Sequence, residues 1–81
     1  MDVLQEIARR RMEQDARHGG ASHDDKHTSA EWLAIVARYM GRASDASPLF
    51  MKNPAAYRQA LVDAASVLVA AIESHDRKGA S

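Results

Sequence analysis

The sequence predicts an all-α fold, built from three helices, or four if a short connector forms a turn, and completed by oligomerisation. Three observations predict it. Apolar residues recur at helical spacing in three separate segments, and no segment alternates as a strand does. The last segment is apolar most of the way round, which is the pattern of a buried helix. The chain has 81 residues, so residues 1–81 form a single domain with a marginal core. Domains of this size gain stability from a disulfide, a metal or a partner subunit, and the absence of cysteine removes the first.

The first helix is expected over about residues 2–18. Asp2 suits the N-cap, and Gly19-Gly20 suit the left-handed residue that ends a helix. Val3, Leu4, Ile7, Ala8 and Met12 share its apolar stripe, which Arg11 continues. Gly19 to His27 read as a polar loop. Thr28 and Glu31 have the spacing of a capping box and open a second helix over about 29–45. Trp32, Ile35, Val36, Tyr39, Met40 and Ala43 form its apolar face.

Leu49 to Lys52 make a short apolar connector, read as up to one helical turn. Asn53-Pro54 then starts a third helix over about 54–77, with asparagine as cap and proline in the first turn. Tyr57, Leu61, Ala64, Ala65, Leu68 and Ile72 form its core stripe. Gln59, Asp63, Ser66, Ala70 and Glu73 form a second series, read as the solvent face. One small chain cannot cover both sides of this helix, and its alanines permit close approach of backbones. Association with further copies of the chain is the expectation.

Lys and Arg together number 11, as do Asp and Glu, so formal charge is zero and a general nucleic-acid binder is not expected. No unbroken run of 18 apolar residues occurs, so no membrane span is expected. The first residues lack the basic start and apolar stretch of a signal peptide, which leaves the cytoplasm as the expected location.

The densest polar cluster is His23-Asp24-Asp25-Lys26-His27. Its imidazoles and carboxylates are candidate ligands for a metal of borderline softness, and Asp63 is a further candidate. The cluster equally reads as a solvated loop, or as one in which His27 packs on Trp32 while Arg11 and Gln14 meet its carboxylates. Among the basic residues of the first helix, Arg9 and Arg10 read as solvated. Arg11 points where the apolar residues point, toward either a phosphate or a carboxylate of the loop.

Gln14-Asp15, Arg17-His18-Gly19-Gly20, His23-Asp24-Asp25-Lys26-His27-Thr28 and Glu31-Trp32-Leu33 together resemble a signature of small phage and bacterial proteins. That signature places an arginine and a glutamine ahead of a Trp-Gly-Gly-like turn and a His-Asp-Asp-x-His loop. Arg11 and Gln14 match it, and His18 stands where tryptophan is usual. The resemblance runs on through Tyr57-Arg58 and from Leu61-Val62-Asp63 to Ile72-Glu73. Such proteins in turn resemble the MazG-like, all-α nucleotide pyrophosphohydrolases, which implies a MazG-like bundle. MazG-like enzymes hold magnesium with an E-x-x-E on one helix and an E-x-x-D on a later one. The matching segments here are Tyr39-Met40-Gly41-Arg42 and Ala60-Leu61-Val62-Asp63, and only Asp63 survives as a carboxylate.

With three of four metal carboxylates missing, the resemblance implies binding without hydrolysis. The expected function is sequestration of a nucleotide or nucleotide-derived signal in a pocket at a subunit interface. Arg11, Arg38 and Arg42 would meet phosphate, Trp32 or Tyr39 a base, and Gln14 completes the set. A phage-encoded counter-defence sponge in a bacterial cytoplasm is one such role, and no cofactor is expected. The alternatives are a magnesium- or other metal-dependent pyrophosphohydrolase with a site rebuilt from His23, Asp24, Asp25, His27 and Asp63, or an interaction module without a small ligand.

Overall fold

The structure, a computed structural model, describes residues 2–47 and 53–79. Within them lie four helices and no strand: α1 (Val3–His18), α2 (Gly20–Asp24), α3 (Ser29–Asp45) and α4 (Pro54–Gly79). The all-α class is as the periodicity requires. The extra helix falls inside the segment expected to be a loop, as the short α2. The connector turn expected at 49–52 lies outside the described residues.

Local chemistry sets the helix ends. Asp2 accepts the Gln5 amide at 2.8 Å while the Gln5 side chain accepts the Asp2 amide at 2.9 Å, a reciprocal cap. Gly19 closes α1 in the left-handed conformation, φ 95°, and donates to the carbonyl of Asp15. Thr28 and Glu31 form the expected capping box on α3, and Asn53 accepts the Ala56 amide at 3.1 Å at the start of α4. Helix α4 continues through Gly79, slightly past its expected end.

Packing shifts the buried face of α4 from the one expected. Ala60, Val62, Asp63, Ala64, Ser66, Val67, Ala70 and Ser74 are buried, whereas Leu61, Leu68 and Ile72 are exposed. Of the series read as the solvent face, Asp63, Ser66 and Ala70 are buried, while Gln59 and Glu73 are exposed as expected. Ser66 donates to the carbonyl of Val62 at 2.7 Å and approaches that of Ile7 at 3.4 Å. Small residues let the helices close on each other, and the largest wholly buried side chains are the serines Ser66 and Ser74.

The stripe of α1 shifts in the same way. Val3, Leu4, Ala8 and Met12 face solvent, while Arg11 and Gln14 are buried and Ile7 and Arg10 are half-buried. Arg10, expected on the solvated face beside Arg9, instead donates to Asp63 at 2.7 Å. On α3, Ala43 is buried and Trp32, Ile35, Val36 and Tyr39 are half-buried, but Met40 is exposed.

By length and composition α4 is also apolar enough to cross a membrane, which the lack of an unbroken apolar run does not reveal. Its packed face carries Asp63, Ser66 and Ser74, each hydrogen-bonded within the chain.

Arg11 ties these helices together. It donates to Asp15 on its own helix, to Asp24 of α2 at 2.8 Å and to Glu73 of α4 at 3.2 Å. Burial works against its charge, but the hydrogen bond and charge of Asp15, with Asp24 and Glu73, outweigh that and hold its pKa above the ordinary value. Breaking a buried pair from one side strands the other charge. Arg11→Met is therefore expected to destabilise the fold by about 3 kcal/mol in urea titrations, and Arg11→Met with Asp24→Asn by less than the single change.

Candidate functional site

A cleft of about 360 Å³ opens between α1 and α3. Helix α1 supplies Arg11, Gln14, Asp15, Arg17 and His18, and α3 supplies Trp32, Ile35, Arg38, Tyr39 and Arg42. Val67 and Ala70 of α4 form its floor, and His23, Asp24 and His27 form the end wall. Small floor residues leave room between the flanking helices. The volume lies near the lower bound for small-molecule sites.

All six residues expected to contact a ligand (Arg11, Gln14, Trp32, Arg38, Tyr39 and Arg42) line this one cleft. Its lining residues all come from one chain. Sequence reasoning left Asp15, Arg17 and His18 out of the site. Arg17 lies three residues beyond Gln14, so helical spacing alone puts it on the neighbouring surface.

The charges of the cleft do not balance. Its carboxylates, Asp15 and Asp24, both accept from Arg11. Arg17, Arg38 and Arg42 have no carboxylate partner among the described residues, and the Arg42 guanidinium lies 4.9 Å from the centre of the Tyr39 ring. The cleft therefore presents an excess of positive charge.

A file of rings runs along the end wall. His18 stacks on His23 at 5.8 Å, His23 meets His27 edge-on at 4.9 Å, and His27 meets Trp32 edge-on at 4.8 Å. The last contact is the staple expected at the start of α3. Gln14 adds an unpaired donor, because its side-chain Nε2 is buried without a hydrogen-bond partner among the described residues. A buried amide donor left unpaired costs about 1–3 kcal/mol, so this group favours an acceptor brought from outside.

The candidate metal ligands are dispersed. Asp24 is held by Arg11, Asp25 by Arg77 and Ser74, and Asp63 by Arg10 and Gln59, while His27 packs on Trp32. Of the five, only His23, Asp24 and His27 reach the cleft. Among the described residues no three His, Asp or Glu side chains gather as a metal site requires.

No family model, curated protein or solved structure matches this chain.

The end wall is fastened from below by the last turns of α4. Arg77 donates to Asp25 at 2.8 Å, Ser74 donates to the same carboxylate at 2.9 Å, and Lys78 donates to the carbonyl of His27 at 2.8 Å. Hydrogen bonds from Arg77 and then Ser74 hold the Asp25 carboxyl below its ordinary value of 3.8. A lowered carboxylate stabilises the fold above that ordinary value, and the contribution is lost as pH falls through the lowered one. Stability measured against pH should thus drop below about pH 4, and Asp25→Asn should flatten that acid limb while lowering the plateau above it.

Proposed function

We propose that the protein binds, without turning over, a small anion of the nucleotide class, and acts by sequestering it. The observation that carries this reading is the meeting, in one cleft, of aromatic rings with three arginines that have no carboxylate partner among the described residues. Planar guanidinium groups on Arg17, Arg38 and Arg42 suit phosphate oxygens, which accept paired hydrogen bonds from them. Trp32, Tyr39 and the histidine rings offer faces and edges to a base. The buried amide of Gln14 selects a ligand that brings an acceptor.

Of the two parts left open for Arg11, phosphate or carboxylate, it takes the carboxylate one. Its donors are engaged by Asp15, Asp24 and Glu73, so it shapes the wall of the cleft while the other arginines meet the ligand. That engagement also favours binding over hydrolysis. A metal-assisted hydrolase needs carboxylates able to hold magnesium or to activate water, and those of this cleft already hold an arginine. The MazG-like resemblance points the same way, since a scaffold that lost its metal carboxylates can retain its nucleotide pocket. In this reading the protein works in the cytoplasm, where removing a nucleotide-derived signal from its receptor is the action of a phage-encoded counter-defence sponge.

Titration with nucleoside phosphates, cyclic dinucleotides and ADP-ribose derivatives tests the reading. A ligand at a hundred times its Kd should raise stability by about 2.7 kcal/mol, a melting shift on the order of 10 °C for a domain of this size. It should also change the fluorescence of Trp32, the chain's single tryptophan. Arg38→Ala and Arg42→Ala should each weaken binding roughly tenfold or more. No melting shift with any of these compounds would overturn the proposal, and release of pyrophosphate or phosphate from a bound compound would overturn its non-catalytic part.

A further inference from the structure

The cationic groups of the cleft stand toward its two ends. Helix α1 runs in the same sense as α4, with Glu6 bridged to Arg58 near their starts and Arg11 reaching Glu73 farther along both. Helix α3 runs against α4, because Lys78 near the end of α4 donates to the carbonyl of His27, just before α3 begins. The last turn of α1 and the first turn of α3 therefore lie at the same end, which the rings of His18, His23, His27 and Trp32 close. Arg17 belongs to that end. Arg42 stands ten residues beyond Trp32, about 15 Å farther along α3, with Arg38 one turn before it.

Between these ends the lining is apolar, with Ile35 on the wall and Val67 and Ala70 on the floor. The end-wall pole has a second group aimed inward. Gln14, one turn before Arg17 and His18, is 9% exposed and its Nε2 has no partner among the described residues. The carboxylates at this end, Asp15 and Asp24, are both held by Arg11. A neutral buried donor beside an arginine suits a phosphate oxygen, which accepts from both. At the other pole the Arg42 guanidinium lies over the Tyr39 ring at 4.9 Å. Charge-assisted hydrogen bonds reach about 3 Å, so an anion held at one pole makes none at the other. A chain of consecutive phosphates gathers its charge at one end of a nucleotide and fills one pole only.

Resting on the nucleotide reading of this cleft, we propose that its ligand carries phosphates at two separate positions, one for each pole. Gln14 and Arg17 hold one phosphate at the end wall, and Arg38 and Arg42 hold the other. The sugar and base lie on the apolar stretch between them, within reach of Trp32 and Tyr39. Gln14 is then a specificity-determining residue, kept unpaired in the free protein so that a second phosphate can satisfy it.

Adenosine 3′,5′-bisphosphate and adenosine 5′-diphosphate test this, because they are isomers that differ in where the second phosphate sits. Titrated against the wild-type chain and followed by Trp32 fluorescence, the bisphosphate should bind about tenfold tighter or more. Arg17→Ala, an exposed change, should weaken the bisphosphate by about tenfold and leave the diphosphate largely unchanged, while Arg42→Ala should weaken both. Gln14→Leu should also weaken the bisphosphate, yet raise the melting temperature of the free chain by removing the unpaired donor. A diphosphate that binds as tightly as its isomer overturns the proposal and leaves nucleotide binding standing. So does a bisphosphate affinity indifferent to Arg17→Ala or to Gln14→Leu. Binding of neither isomer overturns the nucleotide reading and this proposal with it.

Discussion

One guanidinium organises this molecule. Arg11 sits among carboxylates from three helices, Asp15 of α1, Asp24 of α2 and Glu73 of α4, and it is the point at which those helices are fixed to one another. A buried charge must be paired and hydrogen-bonded or it destabilises the fold. That requirement helps to place α2, whose Asp24 accepts from Arg11 at 2.8 Å. The placement of α2 then sets the ring file of His18, His23 and His27, and with it the end wall of the cleft. Apolar burial alone would not achieve this. The buried positions of α4 are mainly alanine, valine and serine, which determine how closely helices approach more than where they stop.

Much of the secondary structure was legible because helix ends are written in local chemistry. Asp2 with Gln5, Thr28 with Glu31, Gly19, and Asn53 before Pro54 each satisfy or release specific backbone groups, and those groups are near neighbours in sequence. The inward faces were not legible in the same way. Periodicity identified the Leu61–Leu68–Ile72 stripe correctly as a stripe but assigned it to the core, on the premise that large apolar side chains go inside. Asp63 shows why that premise failed: its partner Arg10 lies 53 residues away, and no local pattern announces the pairing. Met12 and Met40, likewise read as inward-facing, are also exposed.

The candidate site was legible to a different degree at each residue. Trp32, Tyr39, Arg38 and Arg42 lie on one amphipathic helix, so a single wheel places them together. Arg11 was marked by polarity where an apolar residue was due, and Gln14 by the resemblance. For the His-Asp-Asp cluster the reading that fits is the packed loop, with His27 on Trp32 and Asp24 on Arg11, because neighbours in sequence need not converge in space. Asp24 and Asp25 leave the chain in different directions, one toward α1 and the other toward the end of α4. Density of ligating residue types is a property of composition, whereas a metal site is a property of convergence.

The neutral total charge and the positive cleft are two consequences of one arrangement. Every carboxylate that Arg10, Arg11, Arg58 and Arg77 hold is removed from any role near Arg17, Arg38 and Arg42. The chain as a whole therefore exerts little long-range attraction on a polyanion, since a Debye length of about 8 Å in physiological salt lets distant opposite charges cancel. Inside the cleft the nearest charges dominate, and they are arginines. A long nucleic acid gains little from such a surface because one small concavity meets few phosphates at a time. A compact anion gains more, because it can enter, displace water from the guanidinium groups and lie against the rings. In the proposed binding role, local imbalance within a neutral chain would favour small phosphorylated ligands over polymers, without any need for an overall basic composition.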